Sequence, residues 1–101
     1  MSYILFQCKV KNFDTWKEHF DLERQNRKTA GEKSYHLLCD ETERDSLIVL
    51  FEWDTMVKAR KYFDTIEFRK AMTSSGVVAK PSIIYMDSLE IQRVHGIRKE
   101  K

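Results

Sequence analysis

The side chains best suited to acid–base chemistry are three histidines, His19, His36 and His95, scattered along the 101-residue chain. No two of them have the spacing of a metal-binding pair, and no Cys-x-x-Cys motif occurs, so we expect no metal site. His19 follows Trp16 by three residues in a segment with helical periodicity. A histidine beside an aromatic wall can act as a general base. If the protein is catalytic, we expect the chemistry to use His19 first and His36 second.

The aromatic residues near His19 have two interpretations. Trp16 and Phe20 are spaced as on the buried face of a helix, which is typical of a hydrophobic core. They could instead line, with Arg24, a cleft between helix and sheet that binds a flat apolar ligand. Further along this face the residues become charged, with Glu23, Arg24 and Arg27. Trp53 and Tyr85 are two more candidate ligand-binding aromatics.

Hydrophobic periodicity predicts the element order β-α-β-β-α-β. Alternating apolar residues predict strands over 3–10, 33–40, 46–53 and 82–91. A single helix is expected from Asn12 or Asp14 to about Ala30, ended by Gly31. A second begins after Asp54 or Thr55, and a short third begins at Asp64 or Thr65, with Glu67 completing a capping box.

The strands carry apolar residues on both faces, whereas the crossover connections place the helices on one face only. The uncovered face therefore needs a partner, and a second copy of the same sheet is the simplest one, because most oligomers are symmetric homodimers. Glu52 shares this apolar strand with Ile48 and Leu50, so we expect it to pair with Lys9 or Arg60.

Composition excludes several classes of function. A net charge of +2 is too small to indicate a nucleic-acid or membrane partner. The third strand also lacks the basic residue and the glycine of RNA-recognition modules. With no leader-like segment at the start, we expect a cytoplasmic protein with Cys8 and Cys39 as free thiols. Residues 1–91 are expected to form one domain, and residues 92–101 a basic tail.

The third strand and the helix after it resemble a known family. The motifs are Phe51-Glu52-Trp53, then Lys58-Ala59-Arg60, then Gly76-Val77. They resemble the dimeric α+β-barrel superfamily of antibiotic-biosynthesis-monooxygenase-like proteins, with a closer likeness to its short, cyclase-like members. The resemblance spans about residues 3–90.

This resemblance implies a ferredoxin-like α+β fold with a four-stranded antiparallel sheet that dimerises into a barrel. It implies binding of a small aromatic or polyketide-like molecule in a helix–sheet cleft, without a cofactor. The chemistry would be that of a cofactor-independent monooxygenase or of a cyclase or isomerase. The alternative is a non-catalytic dimeric module that binds a ligand or has a structural role, so whether the chain is an enzyme stays open.

Overall fold

The computed structural model describes residues 2–94 as one antiparallel sheet with helices packed on one of its faces. The elements are β1 Ser2–Lys9, α1 Phe13–Leu22, α2 Arg24–Ala30, β2 Glu32–Cys39, β3 Ser46–Trp53, α3 Met56–Phe63, α4 Ile66–Ser74 and β4 Ser82–Asp87. The strand order is β2-β3-β1-β4, and all neighbouring strands are antiparallel. The predicted ferredoxin-like α+β fold is confirmed, with β1 and β3 at the centre of the sheet.

The covered face of the sheet holds the core. Alternate residues of β1 and β3 point to this face, as the period-2 pattern requires. Its most deeply buried members are Ile4, Leu47, Val49 and Trp53, each at most 1% exposed. Ala59 and Phe63 of α3 complete the core from the helical side. Burial on this scale is the main source of the stability of the domain.

The opposite face, here called the open face, is also largely apolar. Register places Leu5 between Leu50 and Ile84, and Leu38 beside Ile48. Leu38 and Ile84 are 41% and 47% exposed. No helix within residues 2–94 covers this face. The strands are therefore apolar on both faces, as their sequence predicted.

The first helix differs from the prediction, which was one continuous helix to Ala30. The chain forms two helices, α1 and α2, that meet at Glu23, where φ is −87° and ψ is 2°. The Phe20 carbonyl, near the end of α1, accepts a hydrogen bond from Arg27 Nη1 at 2.6 Å. A side chain thus satisfies one of the carbonyls left free at a helix end. The break at Glu23 and this bond occur together, with Arg27 buried.

The junction between α2 and β2 requires a glycine. Gly31 has φ of 123°, a left-handed conformation that other residues rarely adopt. A Cβ at this position would lie 2.8 Å from Nε1 of Trp53. That nitrogen donates to the Ala30 carbonyl at 3.0 Å, and the Asp54 amide donates to the Gly31 carbonyl at 2.8 Å. The end of β3 is therefore tied to the end of α2.

Threonines cap both later helices. Thr55 and Thr65 accept from the backbone amides of Lys58 and Phe68, three residues further on. The predicted capping box at Glu67 is wrong, since Thr65 rather than Asp64 is the N-cap and Phe68 occupies the third helical position.

The last strand is shorter than predicted, because β4 ends at Asp87 rather than at Ile91. Leu89 and Ile91, which follow it, are 98% and 67% exposed. Most of the predicted basic tail lies outside the described residues.

The two cysteines should differ in reactivity towards alkylating reagents. Burial raises the pKa of the Cys8 thiol to about 12, whereas Cys39 is exposed. Since the thiolate is the reactive form, Cys8 should stay unlabelled near pH 8. We expect iodoacetamide to add one label per native chain and two per unfolded chain, as measured by intact mass. A Cys39→Ser variant serves as the control and should gain none while folded; rapid labelling of Cys8 would contradict the prediction.

Candidate functional site

A cavity of about 50 Å³ lies between the helices and the covered face of the sheet. We call it the aromatic cavity, because rings form most of its lining. The rings in its lining include those of Trp16, Phe20, Phe51, Tyr62, Phe63 and Phe68. Its polar lining residues are His19, Glu23, Arg27 and Ser75. Apolar walls with a few polar groups are typical of small-molecule sites.

The volume of the aromatic cavity limits what it can hold in this conformation. Ligand pockets usually measure about 300–1,000 Å³, and an engineered cavity that binds benzene measures about 150 Å³. At about 50 Å³ the aromatic cavity has room only for water-sized groups. A ring can therefore enter only if part of the lining moves.

Helix α4 is the least buried helix of the lining. None of its residues is buried, in contrast to α3, which buries Ala59 and Phe63. Phe68 and Met72 of α4 line the cavity and are only partly buried. An element with few buried side chains costs little free energy to displace. A displacement of α4 would therefore widen the cavity.

Aromatic rings are stacked on the α1 side of the cavity. Trp16 and Phe20 stack with centroids 4.8 Å apart and planes inclined by 17°. Tyr35 meets Phe20 edge-on at 4.9 Å. Because Trp16 and the Arg27 guanidinium cover the two faces of Phe20, a planar aromatic guest would meet these rings edge-on.

Arg27 brings a buried positive charge to the cavity. Its side chain is 3% exposed, and Nε donates to Oε2 of Glu32, itself 8% exposed, at 2.7 Å. Its guanidinium carbon lies 3.7 Å from the centroid of the Phe20 ring. Within residues 2–94, its Nη2 is the one buried side-chain nitrogen or oxygen that lacks a hydrogen-bond partner. Such an atom calls for an explanation, because leaving a donor unpaired in a protein interior is costly.

His19 is oriented by its own helix. Its Nδ1 lies 3.0 Å from the Thr15 carbonyl oxygen, which can only accept a hydrogen bond. Nδ1 therefore carries the proton, and Nε2 of the neutral ring has a free lone pair. Because His19 lines the cavity and is only partly buried, it is suited to take a proton from a bound molecule.

Tyr62 lines the other side of the cavity. Burial raises the pKa of its phenol to about 12, partly offset by the nearby positive charge of Arg27. The hydroxyl group therefore keeps its proton and can donate to an acceptor.

Of the residues predicted for the site, Trp16, His19 and Phe20 meet in the aromatic cavity. The other four do not line it. Arg24 points outwards, 60% exposed, towards Asp21. His36 lies on the open face, opposite Leu50.

Trp53 and Tyr85 have structural partners. Trp53 is fully buried, with its indole nitrogen bonded to the Ala30 carbonyl. Tyr85 packs under Arg60, whose guanidinium carbon is 4.2 Å from the ring centroid. Arg27, which the prediction passed over in favour of Arg24, is the basic residue of the cavity. Its spacing of seven from Phe20 on one helical face was the available signal.

The prediction that Glu52 forms an ion pair with Lys9 or Arg60 is wrong. Its Oε1 accepts from Ser34 Oγ at 3.1 Å on the open face. Lys9 contacts Glu43 at 3.4 Å instead, and Arg60 lies over Tyr85. Glu52 is thus separated from the aromatic cavity by the sheet.

Residues 2–94 hold no candidate metal site and no candidate membrane span. No group of three or more His, Cys, Asp or Glu residues there could hold a metal ion. No helix in that part of the chain is long and apolar enough to cross a membrane.

Comparison with known proteins gives a likeness in structure only. No family model matches the chain, and no curated protein sequence matches it. A protein from Caulobacter crescentus assigned to the antibiotic biosynthesis monooxygenases superposes with a TM-score of 0.70 and 21% identity, over 88% of this chain and 90% of that one. A protein from Bordetella bronchiseptica with the same assignment has a TM-score of 0.72 and 9% identity, over 88% and 97%.

SnoaB, a cofactor-independent oxygenase from Streptomyces nogalater, superposes with a TM-score of 0.72 and 11% identity, over 89% of this chain and 94% of SnoaB. At the level of fold, these likenesses confirm the resemblance that the sequence motifs indicated. The chain has the α+β fold of the antibiotic biosynthesis monooxygenases.

Proposed function

We propose that this protein takes a compact aromatic compound into the aromatic cavity and oxidises it without a cofactor. The observation that carries the proposal is His19, with Nδ1 held by the Thr15 carbonyl, in the lining of a cavity walled by aromatic rings. The shared fold with SnoaB, named as a cofactor-independent oxygenase, supports the same reaction class. Since one fold can host many reactions, the site carries more weight than the fold.

In this proposal each part of the site has one task. The rings of Trp16 and Phe20 orient a planar substrate and keep water away from it. Nε2 of His19 removes the proton of an acidic C–H or O–H group, which makes the ring electron-rich. The substrate then supplies the electrons for O₂: one oxygen atom enters the ring and the other leaves as water. A cyclase or isomerase would use the same proton transfer without O₂.

The second candidate is a binding module without catalysis. The small cavity favours it, because the aromatic cavity itself has no substrate-sized space until α4 moves. The enzyme and the binding module can be distinguished by whether a bound compound is converted to product. A phenolic compound that binds but is never converted, with or without O₂, would support the binding module.

Replacing His19 with Gln tests whether the protein is an enzyme that uses His19 as a general base. Gln keeps a hydrogen-bonding side chain of similar reach but cannot act as a base near neutral pH. We expect O₂ consumption with an accepted naphthol or anthrone substrate to fall by about 10²–10⁴-fold, the usual loss when a general base is removed. Thermal shift with the same compound should change little. His36→Gln, on the other side of the sheet, is the matched control, and equal losses in both variants would argue against His19.

We also propose that the open face forms a homodimer with a second copy of the chain. Its support is the row of apolar side chains around Leu5, Leu50 and Ile84, which no described helix covers. In this dimer His36 would lie at the interface rather than in the cavity. Three expectations stay predictions. They are the ligand-binding roles of Arg24, Trp53 and Tyr85, the domain of residues 1–91 with its basic tail, and the cytoplasmic location.

A further inference from the structure

We propose that the side chain of Phe68 is a plug, which occupies the place of a guest ring in the aromatic cavity and which a guest displaces when it enters. This inference rests on the proposed function, since it requires a guest in the cavity. It adds a residue of this chain that controls access to the site.

The first support is the set of ring contacts that Phe68 makes. Its ring meets those of Phe6, Tyr62 and Phe63 with centroid distances of 6.0, 5.6 and 5.0 Å. The contacts with Phe6 and Phe63 are edge-on, with planes inclined by 79° and 84°. Edge-on pairs of this kind are favourable between any two aromatic rings. A guest in the same place would therefore recover the contacts that Phe68 gives up.

The second support is the space that Phe68 takes. With this ring in place the cavity measures about 50 Å³, well below the ~150 Å³ of a cavity that binds benzene. Phe68 lines the cavity but is only partly buried, so its ring lies between the cavity and the solvent. Its departure would free about the space that a guest ring needs, without passing through the core.

The third support is the way in which α4 is held. At its start Oγ1 of Thr65 donates to the Tyr62 carbonyl at 3.0 Å. Just after its end the Gly76 carbonyl accepts from the Lys11 amide at 3.0 Å. Between these two ties none of its residues is buried. An outward bend of α4 would move Phe68 while both ties stay in place, and such local openings cost less than global unfolding.

Fluorine NMR can follow the plug in an otherwise unchanged protein. The chain is made with 4-fluorophenylalanine in place of Phe68 and is titrated with 1-naphthol. We expect the fluorine resonance to shift as the probe binds, and its difference between H₂O and D₂O to grow, because the ring becomes exposed to solvent. The same label in place of Phe13, which is 37% exposed and does not line the aromatic cavity, is the control and should keep its resonance.

Removing the plug should also raise the affinity. A site that is open only part of the time binds more weakly in proportion to its open fraction. We therefore expect 1-naphthol to bind Phe68→Ala at least about tenfold more tightly than wild type. Met72→Ala widens the cavity from the same helix but keeps the ring, so its gain should be smaller. Phe13→Ala should leave the affinity unchanged.

Binding of 1-naphthol to wild type with an unchanged fluorine resonance at Phe68 would overturn the plug and leave the aromatic site standing. Equal gains in Phe68→Ala and Met72→Ala would also overturn it, since volume alone would then determine the affinity. Binding to Phe68→Ala but not to wild type would show that the ring is a fixed part of the lining. If 1-naphthol binds none of these proteins, the proposed function and this inference fail together.

Discussion

Replacing Arg27 with Met should lower the free energy of unfolding by about 3–5 kcal/mol. The substitution leaves the carboxylate of Glu32 buried without its positive partner, and it removes the donor to the Phe20 carbonyl. Small domains are stable by only about 5–15 kcal/mol in total, so the loss is a large fraction of that stability. Urea unfolding at fixed protein concentration, followed by fluorescence of the two buried tryptophans, measures it.

The double variant Arg27→Met/Glu32→Leu identifies the cause. If the loss comes from the unpaired charge, removing the second charge should recover most of it, because apolar residues often replace a buried ion pair without cost. If the double variant is as unstable as the single one, packing over Phe20 rather than charge would be the dominant contribution of Arg27.

The pair Lys17–Asp21 is the matched control. Its nitrogen–oxygen distance is 2.6 Å, shorter than the 2.7 Å between Arg27 and Glu32, but its side chains are 33% and 40% exposed. Water screens an exposed pair, so Lys17→Met should change stability by at most about 1 kcal/mol. A loss as large as that of Arg27→Met would show that burial does not determine how much stability is lost when one partner of an ion pair is removed.

Replacing Leu50 with Lys should convert the proposed homodimer into a monomer. Leu50 lies at the centre of the open face, between Leu5 and His36. In a two-fold symmetric interface the substitution buries two unpaired ammonium groups, each costing several kcal/mol. We expect the dissociation constant to rise at least about a hundredfold, since each 1.4 kcal/mol is a factor of ten.

Analytical ultracentrifugation over a range of concentrations measures this change. Val57→Lys is the control, because Val57 is 77% exposed on α3, away from the open face. It should leave the dimer intact. A wild-type protein that stays monomeric at high concentration would refute the homodimer, and a dimeric Leu50→Lys variant would place the interface elsewhere.

The sheet was predictable because its pattern is local. Alternation along β1 and β3 appears in consecutive residues, and so does the apolar character of both faces. The same alternation put His36 and Leu38 on one face, but only strand pairing showed that this is the open face. His19 and His36 therefore lie on opposite sides of the sheet.

The candidate site was predictable in part for the same reason. Trp16, His19 and Phe20 lie within five consecutive positions of one helix, so their helical spacing was enough to bring them together. Trp53 could not be placed from sequence, because its role depends on contacts with Ala30 and Gly31 in another element. An indole group can line a ligand site or fill a core, and only its neighbours decide which.

By itself, the sequence determined the element types, the order of strands and helices, and the aromatic face of α1, and it narrowed the later helix caps to Asp54 or Thr55 and to Asp64 or Thr65. These features depend on interactions within a few residues of one another. Only the tertiary structure decided that Arg27 rather than Arg24 enters the cavity. That choice depends on the break at Glu23, on the Phe20 carbonyl and on Glu32. A buried charge needs partners from several elements at once, and no local pattern records whether they meet.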